Sequence, residues 1–340
     1  MNELRECVAV SLADANRALT ALRAARLLDA WRPRKIDGEL AIPVLNAEAA
    51  AGLLKSAGVV ARPCRAEFEM RRRPLRLSDE DLGVSGFLVV GDIILLNYSS
   101  KLGFQTYVDA VSKLAEIYPR VKSIFLKLGT TGELRLPQLV LLYGAGETLT
   151  VVKESGLRFR VDVAKTYFNP RLSGERQRIA SLVNNNERVL DMFCGVAPFS
   201  IAVASRSTAT VVANDLNPYA AALAEANVAL NAKLLKGRVV VLRSDARALP
   251  NVVEGRFDRI IMNNPTSSTE FLDVACKLAS RQSATLHVYY LAQTQDEAIV
   301  NIVEAASRSC ADVNVEFSRK VIEYSPSKSI FVADLSCKGA

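Results

Sequence analysis

Histidine is almost absent from this chain of 340 residues, and its one copy is His287. Six cysteines, Cys7, Cys64, Cys194, Cys276, Cys310 and Cys337, form no C-x-x-C pair. These two shortages exclude the usual zinc sites and a Cys–His nucleophile. His287, between Leu286 and Val288, reads as a core or edge side chain, and Cys194 as a small buried thiol. No apolar run approaches the length of a membrane span, so no membrane association is expected. The start, MNELRECVAV, carries charges where a secretory signal needs an unbroken apolar region, which makes the cytoplasm the default location.

What is present fits a multidomain α/β protein. The length leaves room for two or three domains with a sizeable core, since half of the residues are hydrophobic. Lys and Arg number 43 against 36 Asp and Glu, a formal net charge of +7. That excess fits a polyanionic partner such as nucleic acid, although a solvated surface slightly rich in base accounts for the same figure.

The stretch RVLDMFCGVAPFS, from Arg188 to Ser200, organises the rest. Its apolar run is too short for a helix and reads as a buried parallel strand. Gly195 permits a tight turn, and Pro198 suits the first turn of a helix whose free N–H groups face a ligand above the strand end. A second strand, TVVAND, ends in Asp215, where a carboxylate can accept both hydroxyls of a ribose. The loop reads G-V-A-P-F-S and lacks the G-x-G-x-x-G cradle of a dinucleotide site. A nucleoside cofactor without a pyrophosphate, S-adenosylmethionine, is therefore expected. A third strand ends near Asp245, placed for the adenine, and a fourth, FDRIIMNNP, ends in Asn263, Asn264 and Pro265. An Asn then Pro at that position presents an amide donor and acceptor to a planar substrate.

The remaining segments suggest four parts. Residues 1–66 read as a small α/β recognition domain, with a strand over 6–12, a helix capped by Ser11, a strand ELAIPVL and an Ala-rich helix. Arg17, Arg23, Arg26, Arg32, Arg34 and Lys35 there are candidate phosphate contacts, or simply a solvated face. Residues 67–80, including Arg71, Arg72 and Arg73, read as a linker. Residues 81–165 alternate strand and helix signals in an α+β domain, and SIFLKLGTTGELRLPQLVLLYG reads as a hairpin with Arg135 just past its loop. An isolated Arg on a strand usually pairs with a surface carboxylate. Residues 166–340 carry the sheet, in which seven strands with a closing antiparallel pair give a Rossmann-like class I methyltransferase. Just before the cofactor strand, TYFNPRLSGER gathers Tyr167, Phe168, an Asn-Pro turn, Arg171 and Glu175. Ser173 is placed to cap the helix that follows, and a Glu at a helix start is already favoured by the dipole.

The blocks TGELR, TYFNPRLSGERQRI, VLDMFCGVAPFSI, ANDLNPYA, SDAR, NNPTSSTEFLD and LHVYY together resemble the Trm5 family, archaeal and eukaryotic enzymes that make 1-methylguanosine at tRNA position 37. The resemblance covers essentially the whole chain and implies tRNA as partner and S-adenosylmethionine as cofactor. Mg2+ is a candidate assistant, no other metal is implied, no protein partner is implied, and a monomer is expected. It also implies roles. Glu175 would remove the proton from guanine N1, Arg135 would hold the guanine O6, and Asn263 and Pro265 would hold the base edge. Tyr167, Asn169 and Arg171 would shape the pocket. Phe193, Gly195, Val196, Asp215, Asp245 and Asn263 would line the cofactor.

Two departures bear on regiochemistry. The family usually places an apolar residue and Pro-Lys after the fourth-strand Asn, where this chain has Asn264, Pro265 and Thr266, and the second loop glycine is Ala197. Some archaeal relatives also methylate carbon 7 of the wyosine precursor, and a bifunctional enzyme of that kind stands as the alternative. Others transfer an aminocarboxypropyl group but lack the NPRL segment. A non-catalytic tRNA-binding factor is the alternative from another class.

Overall fold

The computed structural model describes residues 2–29, 31, 33–69, 82–84, 86–132, 134, 136–325 and 327–339. The chain divides into two compact units, residues 1–79 and 80–340. In the first, strand Asn2–Val10 (β1) leads to helix Ala15–Ala24 (α1), strands Arg34–Ile36 (β2) and Glu39–Pro43 (β3), helix Ala47–Ser56 (α2) and strand Ala61–Glu69 (β4). They form an antiparallel sheet in the order β2-β3-β1-β4. Ala18 and Leu22 of α1 and Ala50 and Leu54 of α2 recur at helical spacing and cover Val8, Val10 and Ile42 on one sheet face.

Several local expectations need correction here. The first strand begins four residues early and stops at Val10, and Asp14 rather than Ser11 occupies the cap position of α1, with the Ser11 hydroxyl donating to Asp14 Oδ2 at 2.9 Å. Residues 67–69, assigned to the linker, finish β4, where they complete the pairing with β1. The rest of that linker, including Arg71, Arg72 and Arg73, lies outside the described residues, as does Arg32. Of the other candidate phosphate contacts, Arg17 donates to the Ala57 carbonyl and Arg34 to that of Glu67. A disulfide joins Cys7 to Cys64, directly opposed across β1 and β4 with 4.8 Å between Cα atoms. No sequence spacing announces that pair, because only the strand register brings it together.

The second unit opens with a sheet in the order β5-β6-β7-β8: Phe87–Val90 (β5), Ile93–Asn97 (β6), helix Phe104–Ile117 (α3), Ser123–Thr131 (β7) and Leu136–Gly144 (β8). GFLVVGDIILLNY is therefore two antiparallel strands, broken at Gly91 with φ +61°. A side chain there would meet Thr150 Oγ1 at 2.1 Å. β7 and β8 pair antiparallel, as the hairpin pattern predicts. Next come Leu149–Glu154 (β9) and Leu157–Asp162 (β10), a hairpin whose second strand was not anticipated.

Then follow helix Ser173–Leu182 (α4) and the alternating series Arg188–Asp191 (β11), Pro198–Arg206 (α5), Thr210–Asp215 (β12), Pro218–Asn231 (α6), Arg238–Arg243 (β13), Leu249–Val252 (α7), Arg259–Met262 (β14), Leu272–Leu278 (α8), Ala284–Ala292 (β15) and Gln295–Ala306 (α9). Ala311–Ser325 (β16) and Lys328–Lys338 (β17) close the chain. Among the described residues these strands build a seven-stranded sheet ordered β13-β12-β11-β14-β15-β17-β16. The first five run parallel, while β17 pairs antiparallel with both β15 and β16, so the expected class I methyltransferase sheet is present. A second disulfide, Cys276–Cys310, ties the end of α8 to the segment after α9. No helix among the described residues is long and apolar enough to cross a membrane.

Two buried asparagines fasten the β9–β10 hairpin to this sheet. Asn227 on α6 accepts from the Arg160 N–H at 2.7 Å and donates to the carbonyls of Arg160 and Val196, each at 3.1 Å. One turn on, Asn231 repeats the exchange with Arg158. Each amide acts as a short piece of sheet edge, satisfying backbone groups that α6 otherwise buries. Asn227→Ala leaves three such groups without a partner beside the cofactor loop. Urea unfolding should show a loss of about 2 kcal/mol or more.

Candidate active site

β11, β12, β13 and β14 end along one edge, and the predicted cofactor residues follow those ends: Asp215 closes β12, and Asp245 and Asn263 come one or two residues after β13 and β14. The connection after β11 is held tightly. The N–H of Met192 donates to Ile261, and that of Cys194 to the Asn214 carbonyl at 2.7 Å. Gly195 and Ala197 both adopt left-handed backbone, φ +56° and +62°, before Pro198 starts α5. Gly195 tolerates this freely; Ala197 carries a modest conformational cost where a second glycine would not.

Asp215 is fixed by the backbone, its Oδ2 accepting from the Gly195 N–H at 2.7 Å and its Oδ1 from the Asn217 N–H at 2.9 Å. Burial pushes its carboxyl up, and those two bonds offset part of the rise. Asp191 lies deeper. Burial pushes it up to about 7, with the Asp215 charge adding to the shift and the 2.7 Å bond from the Ser200 hydroxyl opposing it. Among the described residues its Oδ1 is buried without a partner, and so is Oδ1 of Asn214. Orphaned buried acceptors beside a second carboxylate suit a ligand that brings hydroxyls and positive charge, as S-adenosylmethionine does. Sequence reading does not single out Asp191, because it looks like the last residue of a buried strand.

The other predicted cofactor residues differ in what they offer. Phe193 stands edge-on to Phe271 with ring centroids 5.0 Å apart, and the Arg247 guanidinium covers the same Phe271. Asp245 accepts from the Arg247 N–H at 2.9 Å and is otherwise half exposed. Asn263 is half-buried, and among the described residues its amide has no hydrogen-bond partner. Val196 is wholly buried in the core, and its carbonyl accepts from Asn227. Pro265 is half-buried and accepts from the Leu291 N–H at 2.8 Å, which sets the strand end against β15.

The TYFNPRLSGER segment wraps onto this edge. Asn217 donates to the Lys165 carbonyl at 2.7 Å, and a Cβ on Gly195 would touch the Tyr167 carbonyl at 3.4 Å. Asn169 accepts from the Arg171 N–H and so caps the short turn 170–172. Ser173, the expected cap of α4, is instead its first helical residue. Tyr167 is 62 % exposed, and Arg171 is exposed with no guanidinium partner among the described residues. Arg176 is buried and forks onto both oxygens of Glu154 on β9, while also donating to the Asn169 carbonyl at 3.2 Å and covering the Phe168 ring. Arg135 lies outside the described residues.

Glu175 is only 2 % exposed, and both of its oxygens are engaged. Oε1 accepts from the Tyr289 hydroxyl and from Arg178 Nη2, each at 2.7 Å; Oε2 accepts from Arg178 Nε at 3.0 Å and from Arg319. Burial pushes the carboxyl up, but the bonds from Arg178, Arg319 and Tyr289 outweigh it and hold the group below the usual range. Tyr289 in turn packs against Phe199 at the start of α5, with centroids 5.9 Å apart. The base predicted from sequence therefore adjoins the helix that opens onto the cofactor edge.

From Glu175 a charged chain runs beneath α4. Arg178 donates to Asp334 at 2.6 Å, Asp334 pairs with His287 Nδ1 at 2.6 Å, His287 Nε2 meets Arg259 at 2.8 Å, and Arg259 forks onto Glu187. Arginine has no acceptor, so Nε2 must accept and the proton sits on Nδ1. Burial and the nearby Arg259 and Arg178 charges keep His287 neutral, against the pull of Asp334, and its titration lies below the usual value. Asp334 is driven the other way: burial raises it, yet His287 and Arg178 bring it down to about 2. Sequence reading placed His287 in the core and missed this chain, because its members lie on four separate elements and the turn before β11.

A pH dependence follows. The unfolded chain binds a proton on His287 near pH ~6.5, whereas the folded protein does so only at lower pH. Below about 6.5 the unfolded state therefore holds more protons, and acid removes stability. The difference in unfolding free energy between the protein and its His287→Gln variant should narrow from pH ~7 to ~5.5. The opposite drift from Asp191 is common to both proteins and cancels.

A family profile described as the TRM5/TYW2 methyltransferase domain matches residues 150–316. The tRNA (guanine(37)-N(1))-methyltransferase Trm5b of Methanocaldococcus jannaschii is 35% identical over 257 residues, 75% of this chain and 72% of the relative. A solved complex of aTrm5 with tRNALeu superposes with a TM-score of 0.70 at 26% identity, covering 97% of this chain and 99% of that one. Trm5 of Methanocaldococcus jannaschii in complex with adenosine gives 0.62 at 29% identity, covering 97% and 98%. Among the described residues no group of three His, Cys, Asp or Glu side chains is placed to hold a metal ion.

Proposed function

The chain belongs to the Trm5 family of methyltransferases, and from that premise we propose that it transfers the methyl group of S-adenosylmethionine to N1 of guanosine at position 37 of tRNA. The observation that carries the reading is the placement of Glu175, a buried carboxylate that touches Tyr289, which packs on the cofactor helix. N1 of neutral guanine carries a proton and is a poor nucleophile, so the reaction needs a base and a cation for the oxyanion that forms on O6. Glu175 fills the first role and Arg135 the second.

Around them, Asn263 presents its unengaged amide to the base edge, with Pro265 fixing the turn. Tyr167, Asn169 and Arg171 border the base. Phe193, Gly195, Val196, Asp215 and Asp245 hold the cofactor's nucleoside, and Asp191 faces its positive charge. When bound, S-adenosylmethionine supplies an electrophilic methyl on a sulfonium leaving group. The protein must then mainly align nucleophile and methyl, and no covalent intermediate on the chain is required.

The first unit grips a part of the tRNA distant from the anticodon, and the enzyme works as a cytoplasmic monomer. The test is incubation of unmodified tRNA transcripts carrying guanosine at position 37 with labelled S-adenosylmethionine, followed by digestion and mass spectrometry. 1-Methylguanosine at that position is the expected product. Transfer only to precursor-modified tRNA would move the reading to the wyosine pathway, where the polar pair Asn264 and Thr266, 3.3 Å apart, would border a larger base. Binding without turnover would leave a tRNA-binding factor.

A further inference from the structure

A general base needs a lone pair open to its substrate, yet Glu175 has none to spare: Tyr289, Arg178 and Arg319 place donors on both of its oxygens. One of them has to leave before the carboxylate can act. Tyr289 is fully buried. Arg178 forks onto Asp334 as well as Glu175, and it stacks on the Phe317 ring, with 18% of its side chain exposed. Arg319 is different on three counts. It lies on β16, the edge strand of the sheet, its side chain is 42% exposed, and Glu175 is its one partner among the described residues. Its Nε–H is buried and has no partner among the described residues, so the guanidinium fork is half satisfied.

We propose that Arg319 is a displaceable clasp on Glu175, holding the carboxylate in the free protein and passing to a backbone phosphate of the bound tRNA beside the target nucleotide. The inference rests on Glu175 being the base. A phosphate offers two oxygens at the spacing of the guanidinium fork and engages both Nε and a terminal nitrogen, which Glu175 does not. Charge bookkeeping favours the exchange. With neutral His287 and Tyr289 set aside, Glu175 and Asp334 are balanced by Arg178 and Arg319. Once Arg319 turns to the phosphate, the two carboxylates share a single cation, and the proton affinity of Glu175 rises. The N1–H bond of guanine then breaks as the Glu175 O–H bond forms, the freed N1 pair attacks the methyl carbon, and the C–S pair returns to sulfur. Proton uptake restores neutrality to the cluster. tRNA binding thus switches on the base that acts upon it, and the free enzyme keeps that base silent.

The test compares acid limbs of pH–rate profiles, because kcat/KM reports the free enzyme and the saturating single-turnover rate reports the complex. In the unaltered enzyme the kcat/KM limb should lie below the saturating limb by about one pH unit or more. Arg319→Gln should bring the two together by raising the kcat/KM limb. It should also weaken tRNA binding by about tenfold and reduce the slope of log Kd against log salt by about 0.7, the value for one phosphate contact on a single strand. Arg319→Lys should regain most of the salt slope. Coincident limbs in the unaltered enzyme, or a saturating limb that moves in Arg319→Gln, would overturn the proposal, since Arg319 would then stay on Glu175 throughout. Glu175→Gln separates the layers: a saturating rate and limb that survive it would reject Glu175 as the base, whatever Arg319 does to the salt slope.

Discussion

Glu175→Gln is expected to lower the single-turnover rate of methyl transfer by about 10²–10⁴-fold, the range a positioned base contributes. The substitution is close to isosteric, and the fold should accept it. A Gln oxygen still accepts from Tyr289 and from Arg178 Nη2 and Nε, while the new NH2 replaces the acceptor of Arg319, whose exposed side chain can turn to solvent. Arg178 keeps its fork onto Asp334, so no cation is left buried alone. Affinity for S-adenosylmethionine should change by less than about threefold, because Glu175 touches none of the carboxylates at the cofactor edge. Equilibrium dialysis with labelled cofactor checks that half, and quench-flow on a guanosine-37 transcript checks the other. Retained turnover would show that the proton leaves by another route.

The two halves of that expectation differ in how far they can be read without coordinates. The cofactor edge is local. A strand end, a turn glycine, a proline that opens a helix and a carboxylate two dozen residues later are consecutive features, and parallel pairing carries them to one edge. Asp191 escaped that reading because its distinguishing property, an oxygen buried with no donor, belongs to the packed state. The environment of Glu175 is non-local. Its donors come from positions 178, 289 and 319, and the last two reach it only after β15 and β16 take their places on either side of β17. Sequence spacing names the carboxylate and leaves its partners hidden.

The same division appears in the smaller misjudgements. β10 is legible in LRFRVD, which alternates apolar and charged residues over six positions as a half-buried strand does. What the pattern does not show is its pairing with β9 and its asparagine clasps. Val196 lies in the core between the left-handed turns at Gly195 and Ala197, a burial that its neighbours in sequence do not announce. Cys7 and Cys64 show the converse, in which a register set by nine consecutive residue pairs brings two unremarkable positions within bonding distance.

Arg176→Met is expected to cost about 3–5 kcal/mol of stability in the second unit, the range for leaving one partner of a buried ion pair without its counter-charge. Glu154 is 9% exposed and has both oxygens on Arg176, so the substitution strands a carboxylate between β9 and α4. Replacing both partners at once tests whether the charge or its geometry matters. Arg176→Met with Glu154→Leu removes the stranded carboxylate, and a buried pair exchanged for apolar residues of similar size is often neutral. Urea denaturation should therefore return most of the lost stability in the double variant. Activity should not return with it. Arg176 also donates twice to the Asn169 carbonyl and covers Phe168, so it fixes the turn that carries Tyr167, Asn169 and Arg171 against the cofactor loop. No apolar pair supplies those donors. A stable double variant that still transfers methyl slowly would place the value of this ion pair in orienting the base-binding segment, and one that recovered full turnover would reduce Arg176 to a packing role.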